Sequence, residues 1–216
     1  MPQINRPFRV AVLTSLACGL LIFHPAASAR KPAGKPDPLR RYLSCKFDDG
    51  LQIKEITRRS AGDNFRTVET GEGTKKVSVM DGYRVMFAYP RTPYFFANMK
   101  VEQSDPQQYA GDKETVIAEL KNVPSMKGLA APMEYLDRQD FNGYEGYGVE
   151  RTVIDKGGVL GTYELFSDAD HVIITVYFLN QGREKRRFES KEEFRVLRDK
   201  FLNQYTKCVS APPAGG

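Results

Sequence analysis

Hydrophobic and polar residues alternate along most of the first half of the chain, a pattern typical of half-buried β-strands. It predicts strands over residues 43–47, 51–56, 65–70, 76–80, 83–89 and 95–102. Turn-forming sequences separate neighbouring strands at residues 48–50, 71–74 and 81–82. Pro90 and Pro93 then interrupt the ladder, because proline has no backbone N–H to donate. We therefore expect antiparallel hairpins in the first half.

Hydrophobic spacing of three or four residues predicts two helices further along the chain. The first is expected to run from Asp112, which would cap it, to Val123, and Pro124 would end it. The second is expected to begin with a capping box formed by Ser190 and Glu193. Its predicted apolar face consists of Phe194, Leu197, Phe201, Tyr205 and Cys208.

Between the two helices the alternating pattern returns and predicts strands over residues 135–141, 144–153, 159–166 and 171–179. Short turns such as Asn142-Gly143 would join them into a meander. The predicted fold class is α+β, a largely antiparallel β-sheet packed against two α-helices.

Residues 1–29 are expected to be a cleavable signal peptide. Arg6 and Arg9 precede an uncharged run over residues 10–23, and Ala27-Ser28-Ala29 has the small residues that a signal peptidase requires. The run is about 14 residues long, whereas a membrane-spanning helix takes roughly 20. Lipidation at Cys18 fits less well, because Cys18 lies inside the apolar run. The mature chain is therefore predicted to be periplasmic or secreted, without a transmembrane segment.

Composition divides the predicted mature chain into three parts. Residues 30–38 contain several prolines and no large apolar residue, which predicts an extended linker. Residues 39–209 are expected to be a single α+β domain, since the 41% hydrophobic residues, including 13 Phe and 11 Tyr, are enough for a core. Residues 210–216 are expected to be a disordered tail.

Removal of the signal peptide would leave two cysteines, Cys45 and Cys208, one near each end of the domain. An even pair of cysteines in an exported chain favours a disulfide, and the alternative is a pair of free thiols. Alternation in the first predicted strand would place Cys45 on the same face of the sheet as Leu43 and Phe47. The terminal helix carries Cys208 on its buried side, so the two cysteines are expected to meet.

Net charge gives little information about a partner. Removal of Arg6 and Arg9 lowers the formal net charge from +5 to +3. Binding to nucleic acid or to a membrane surface needs basic residues gathered on one face, which such a balance does not indicate. No nucleic-acid partner is therefore expected, and the sequence does not indicate an oligomeric state.

Between residues 76 and 205 the order of elements resembles that of the PsbP-like family of α/β/α sandwiches. The shared order is hairpin, short strand, helix, meander and terminal helix. The local motif is an aromatic residue followed by Tyr-Pro in "VMFAYP", here Phe87, Tyr89 and Pro90. The resemblance implies a PsbP-like sandwich with a mostly non-enzymatic, export-associated or assembly-assisting role, and it implies no particular binding residue.

Candidate catalytic and metal-binding residues are few. His171 is the only histidine after residue 29, and it begins a strand beside a turn, so we expect a strand-end histidine rather than a catalytic base. One histidine and two bridged cysteines are too few ligands for zinc. Asp168 and Asp170 are spaced like calcium ligands, but the glycine and distal glutamate of a calcium loop are missing. No catalytic residue, metal or cofactor is predicted.

Two segments are candidates for ligand binding. In residues 141–148 aromatic residues alternate with glycines, and Tyr144 and Tyr147 could stack on a sugar, a base or a peptide. The alternative for these rings is a place in the core. A basic cluster before the last helix could bind an anionic envelope polymer or lipid headgroup, and a solvated loop is its alternative. The cluster consists of Arg183, Lys185, Arg186, Arg187 and Lys191.

These observations predict an exported, non-catalytic binding or assembly accessory domain of the cell envelope, with an envelope protein or an anionic polymer as partner. One rival is a small carboxylate-dependent hydrolase, with Glu145 and Glu150 as candidate acids near aromatic residues. Another is an inhibitor of an exported enzyme that inserts an exposed loop from Tyr94 to Phe96. Ionisable side chains that converge in a deep pocket with shifted pKa values would favour the hydrolase.

Overall fold

The computed structural model describes residues 37–59, 62–90, 95–129, 131–154, 157–180 and 188–210. The predicted signal peptide, the linker up to residue 36 and residues 211–216 of the predicted tail lie outside these ranges. Within the ranges, no helix combines the length and apolar character needed to cross a membrane.

The fold class is α+β, as predicted. The strands of the described residues are β1 (Gln52–Arg58), β2 (Phe65–Thr70), β3 (Gly73–Ser78), β4 (Asp81–Ala88), β5 (Ala97–Gln103), β6 (Met133–Phe141), β7 (Tyr144–Arg151), β8 (Gly158–Ser167) and β9 (Val172–Asn180). Seven of them form one antiparallel sheet in the order β1-β4-β5-β9-β8-β7-β6, and β2 and β3 form a separate hairpin. The pairing of β5 with β9 joins the two halves of the chain.

Two α-helices pack against the large sheet, α1 (Tyr109–Asn122) and α2 (Lys191–Ser210). The Ser190 hydroxyl accepts a hydrogen bond of 3.0 Å from the backbone N–H of Glu193, as the capping box predicts. The Glu193 carboxylate accepts one of 2.9 Å from the N–H of Glu189 instead of Ser190. α2 extends to Ser210, so the prediction that the disordered tail begins at this residue is wrong.

The prediction that Asp112 caps the first helix is wrong. α1 begins at Tyr109, and Asp112 lies buried within its first turn. Its carboxylate accepts hydrogen bonds from the backbone N–H of Ser78 and from the hydroxyls of Ser78 and Ser104. The buried Asp112 carboxylate therefore attaches α1 to the β2–β3 hairpin and to the residue after β5.

One face of the large sheet, here called the apolar face, carries the main core. Alternate residues of β4, β5, β8 and β9 point to this face, as the two-residue period of a strand requires. α2 packs its buried side on them. The fully buried members include Val85, Phe87, Met99, Val101, Tyr163, Leu165, Val176 and Phe178 from the sheet and Phe194, Leu202 and Tyr205 from α2.

The strand predicted over residues 43–47 is absent. Arg40–Leu43 is a 3-10 helix, and no strand is assigned between it and β1. Leu39, Tyr42 and Cys45 are buried, whereas Leu43 and Phe47 are only half-buried. Because the buried positions are three residues apart, this segment lies over the core as a turn of helix rather than as alternating strand.

The predicted disulfide between Cys45 and Cys208 is present, with the two Cα atoms 5.8 Å apart. Cys45 reaches α2 from the irregular segment after the 3-10 helix, not from a sheet strand. The Tyr205 hydroxyl on α2 donates a hydrogen bond of 3.1 Å to the carbonyl oxygen of Tyr42. The start of the domain is thus attached to its last helix by both covalent and polar contacts.

Candidate functional site

The opposite face of the large sheet, here called the polar face, carries polar side chains on its central strands. Strand register places Arg84 of β4, Lys100 of β5, Thr175 of β9 and Glu164 of β8 side by side in one row. A parallel row contains Asn98, Tyr177 and Thr162. An antiparallel sheet often has one polar face, but Thr175 and Glu164 of this row are buried, and a buried carboxyl group needs an explanation.

The polar face is covered only in part. α1 and the β2–β3 hairpin pack on one part of it. There, Tyr109, Val116, Phe166 and Ile173 belong to a second, smaller apolar cluster. Arg66 of the hairpin also contacts the sheet. The Arg66 Nε atom lies 2.9 Å from a Glu102 carboxylate oxygen, and its Nη1 atom lies 3.6 Å from a carboxylate oxygen of Glu119 on α1.

A cavity of about 600 Å³, here called the α1 cavity, opens between Arg66, α1 and the polar face. Its polar lining includes Arg66, Lys100, Glu119, Glu164 and Tyr177. Its apolar lining is formed by Phe65, Leu120, Val123, Met133 and Val149. This size is typical of small-molecule sites, and the lining combines charged and hydrogen-bonding groups with apolar residues in similar measure.

Burial raises the pKa of two carboxyl groups that line this cavity, Glu164 and Glu119. Glu164 is 2% exposed, and burial raises its pKa to about 7, although the positive charge of Arg66 offsets part of this effect. Its carboxylate accepts a hydrogen bond of 2.9 Å from the Thr175 hydroxyl. Burial also raises the pKa of Glu119, again against the charge of Arg66. A carboxyl group that titrates near neutral pH can both accept and donate hydrogen bonds to a ligand.

Arg66 and Lys100 also line a second cavity of about 550 Å³, here called the β1 cavity, on the side towards β1. Arg58, Arg59, Arg84, Glu55 and Glu102 are further charged residues of its lining. The Lys100 ammonium group donates a hydrogen bond of 3.2 Å to the Tyr177 hydroxyl. The two cavities are therefore neighbours that share two cations.

The predicted binding residues Tyr144 and Tyr147 are not part of this site. Tyr144 is buried in the main core. The Tyr147 ring packs edge-on against Phe166 with centroids 6.1 Å apart, and its hydroxyl donates to Glu145. The core alternative is therefore the one that the structure supports.

The glycines between these tyrosines are explained by aromatic rings on neighbouring strands. A Cβ atom at Gly146 would lie 2.8 Å from the Phe141 ring, and one at Gly148 would lie 2.6 Å from the Tyr163 ring. Neither position has room for a larger residue, because the ring of the adjacent strand covers the backbone. The alternation of aromatics and glycines therefore indicates sheet packing, not a stacking platform.

Four residues of the predicted basic cluster, Arg183, Lys185, Arg186 and Arg187, lie outside the described residues. The fifth, Lys191, is in the first turn of α2 and lies 2.5 Å from a Glu134 carboxylate oxygen. It therefore belongs to an ion-pair network between α2 and the sheet rather than to a solvated loop.

The two candidate acids of a hydrolase, Glu145 and Glu150, lie on opposite faces of β7. Glu145 points to the polar face and forms an ion pair of 3.0 Å with Lys113 of α1. Glu150 is fully buried on the apolar face, where its two oxygens lie 2.5 Å from guanidinium nitrogens of Arg195 and Arg198. They cannot act on one bond, so this pair is excluded as the acids of a glycosidase site.

The other sequence candidates have structural partners. His171 packs edge-on against the Tyr109 ring, with centroids 5.3 Å apart. Asp168 accepts hydrogen bonds from Tyr109 and Lys113, and Asp170 accepts them from Arg41, Tyr42 and Ser167. Among the described residues, no group of three or more His, Cys, Asp or Glu side chains could hold a metal ion.

The loop proposed for an enzyme inhibitor is only partly described. Tyr94 lies outside the described residues, and Phe96 is 2% exposed and packs on Phe178 and Phe201 in the main core. The prediction of an exposed Phe96 is therefore wrong.

Sequence reasoning did not identify Arg66, Arg84, Lys100 or Glu164. One signal exists in the alternation itself, because Arg84 in "YRVMF" and Lys100 and Glu102 in "NMKVE" are charged residues at positions that face away from the main core. What the sequence cannot show is that these positions lie side by side with "TYELF" of β8, which is about sixty residues later in the chain.

Comparison with protein families, with curated proteins and with solved structures gives no match to this chain.

Proposed function

We propose that this chain is an exported, non-catalytic binding domain whose ligand site is the α1 cavity on the polar face. The observation that carries the proposal is the α1 cavity itself, in which Arg66, Glu164 and Tyr177 meet an apolar wall. A lining that combines hydrogen-bond donors and acceptors with apolar residues fits a small polar ligand with an apolar part.

The energetic cost of the polar face supports a ligand-binding role. Burial of Glu164 opposes its ionisation, and an apolar residue at this position would pack against α1 without that cost. Residues that cost stability are characteristic of functional sites. The apolar face of the same sheet shows that this chain can build a normal core where binding is not required.

Export is supported by the predicted signal peptide and by the Cys45–Cys208 disulfide, since such bonds persist in oxidising compartments. The PsbP-like resemblance stays a prediction and favours a non-enzymatic, assembly-assisting role. Mass spectrometry of the protein isolated from an exporting cell tests whether the predicted signal peptide is cleaved. We expect a mature chain that begins at Arg30, and an intact N-terminus on the exported protein would refute the cleavage site.

The binding site is tested by thermal unfolding with three probes, namely citrate, maltotriose and spermidine, in the full-length protein. We expect at least one probe to raise the unfolding temperature, and Thr162→Trp to abolish that shift by filling the α1 cavity. The matched control is Val159→Trp, which adds the same side chain at an exposed position of β8. A shift that persists in Thr162→Trp, or no shift with any probe, would refute the cavity as the binding site.

A carboxylate-dependent hydrolase remains the second candidate, and one observation favours it. The pKa of Glu164, raised by burial to about 7, is in the range of a general acid or base, and this residue lines a cavity. Hydrolysis of 4-nitrophenyl glycosides and esters would test it. This candidate requires turnover that disappears in Glu164→Gln, and no turnover with these substrates argues for the non-catalytic proposal.

A further inference from the structure

Two cations lie directly opposite each other on the polar face. Strand register pairs Arg84 of β4 with Lys100 of β5, and both side chains point into the β1 cavity. Like charges at directly opposed positions of neighbouring strands destabilise a sheet. The pair therefore needs a reason other than the stability of the fold.

Neither cation has an anionic partner in the part of the chain that the structure describes. Arg84 makes no hydrogen bond and no ion pair there. Lys100 makes only its hydrogen bond to the Tyr177 hydroxyl and a contact of its ammonium group with the Tyr177 ring, 5.2 Å from the centroid. Neither positive charge is therefore held in a direct ion pair with a carboxylate.

Arg66 adds a third cationic group to the same place. Two of its guanidinium nitrogens face Glu102 and Glu119, but its Nη2 atom is buried and has no hydrogen-bond partner among the described residues. A buried guanidinium N–H without an acceptor is costly. Arg66 lines both cavities, so an acceptor placed between them would satisfy this nitrogen.

The remaining charged residues of the β1 cavity have partners of their own, although only Arg58 and Glu102 are held in ion pairs. Arg58 lies 2.5 Å from an Asp81 carboxylate oxygen, and Glu102 is engaged by Arg66. Glu55 accepts a hydrogen bond of 2.9 Å from the Thr57 hydroxyl. Arg59 donates to the backbone carbonyls of residues 63, 65 and 79. Positive charge therefore remains in excess around Arg84 and Lys100.

We propose that the polar face binds an oxyanion, a phosphate or carboxylate group of a small ligand, between Arg84, Lys100 and the free Nη2 atom of Arg66. This inference rests on the proposed function and names the chemical class of its ligand. Charged hydrogen bonds from two guanidinium groups and an ammonium group are the usual means of holding such an anion. The ligand's apolar part would then lie in the neighbouring α1 cavity.

Isothermal titration of the full-length protein with inorganic phosphate, glycerol 3-phosphate and citrate tests the proposal at constant ionic strength. We expect saturable binding of at least one of them. Arg84→Gln and Lys100→Met should each weaken it at least tenfold, and the double variant more than either. The matched control is Lys54→Met, which removes the same charge from an exposed position of β1 outside both cavities. It should bind within twofold of the wild type.

The three anions distinguish the sources of the charge. Tighter binding of glycerol 3-phosphate than of phosphate assigns the oxyanion to an organic phosphate. Tighter binding of citrate than of either phosphate assigns it to a carboxylate ligand. Equal binding of phosphate and glycerol 3-phosphate assigns it to the free ion. An equal loss of affinity in Lys54→Met would overturn the proposal, because the attraction would then be nonspecific. So would the absence of saturable binding by all three anions.

Failure of this inference is distinguishable from failure of the proposed function. A shift of the unfolding temperature with maltotriose or spermidine that Thr162→Trp abolishes, together with no binding of the anions, would refute the oxyanion and leave the α1 cavity as the binding site. Absence of binding by every probe would refute both.

Discussion

Two buried glutamates on neighbouring strands show how differently the two faces of the sheet are built. On the apolar face, burial opposes ionisation of Glu150, but hydrogen bonds from Arg195 and the charge of Arg198 outweigh burial and lower its pKa. On the polar face, burial dominates and raises the pKa of Glu164 to about 7. Glu150 forms ion pairs with two arginines of α2, whereas Glu164, Arg84 and Lys100 form no ion pair among the described residues.

This difference indicates that one face of the sheet serves stability and the other serves ligand binding. The apolar face, with α2 and the disulfide, provides most of the stabilising burial. The polar face carries groups that cost stability, and α1 leaves part of that face open as cavities. Each of the following variants tests whether stability and binding are separated in this way.

The largest difference between the faces is expected on a single strand, β9. Phe178 is fully buried among Phe96, Phe194 and Phe201, so Phe178→Ala should lower the free energy of unfolding by about 3–5 kcal/mol. Tyr177 points to the polar face beside a cavity, so Tyr177→Ala should cost only about 1 kcal/mol. Urea unfolding of both variants measures the two values, and equal losses would remove the contrast.

The ion cluster of the apolar face should be nearly as sensitive. Glu150→Gln removes the fully buried carboxylate that pairs with Arg195 and Arg198 and leaves Arg198, which is 7% exposed, with Asp199 alone, and this should cost about 3 kcal/mol. Glu145→Gln changes the same side chain on the opposite face of β7, where Lys113 keeps Asp168 as a partner, and should cost less than about 1 kcal/mol. Chemical unfolding at pH 7 gives both numbers. A loss below about 1 kcal/mol for Glu150→Gln would show that the cluster is not structural.

Removal of the disulfide should affect stability without affecting the ligand site. Cys45→Ser combined with Cys208→Ser opens a loop of 163 residues, and we expect a loss of about 2–4 kcal/mol. The bond lies on the apolar face, so the affinity for an oxyanion should stay within twofold of the wild type at a temperature where the variant is folded. A parallel loss of affinity would show that the two faces are coupled.

The raised pKa of Glu164 predicts a pH dependence of stability. Between its ordinary pKa of 4.5 and about 7, the folded protein keeps a proton that the unfolded chain has released. The free energy of unfolding should therefore fall as the pH rises through this window, by about 2–3 kcal/mol, and stay level above it. Glu164→Gln should lack this decrease.

Chemical unfolding at pH 5 and pH 8 gives the change in the free energy of unfolding for the wild type and for Glu164→Gln. The difference between these two changes isolates Glu164, because the other titrating groups contribute equally to both proteins. Glu150 acts in a separate window, because its lowered pKa costs stability only as the pH falls below about 4.5. An identical pH dependence in the two proteins would mean that Glu164 ionises normally.

Much of the fold follows from local patterns. Alternation located β2, β4, β5 and the strands of the meander within a few residues, and the Ser190 cap located α2, because these signals are encoded by neighbouring residues. The failure at residues 43–47 has a physical reason. Leu43, Cys45 and Phe47 alternate by type, but Leu43 ends a 3-10 helix and the residues after it pack on α2 and the core as an irregular segment, so tertiary contacts override the pattern.

The candidate site could not be predicted in the same way. Arg66 meets Glu102 and Glu119 only because the β2–β3 hairpin folds over the sheet. Lys100 and Glu164 line one cavity only because β9 lies between their strands in this register. Residue spacing carries no information on such long-range contacts. The prediction of a binding segment at Tyr144 and Tyr147 failed for the opposite reason. Its glycines are explained by the aromatic rings that pack on Gly146 and Gly148 and not by a ligand.

The central claim is that Arg84 and Lys100 are present for a ligand and not for the fold. The most direct test is the free energy of unfolding of the Arg84→Gln, Lys100→Met double variant in buffer free of phosphate and citrate. Because the change removes like charges from directly opposed positions, we expect stability equal to that of the wild type or higher by up to about 1 kcal/mol. A loss of more than about 1 kcal/mol would contradict the account, since the two cations would then stabilise the sheet by themselves.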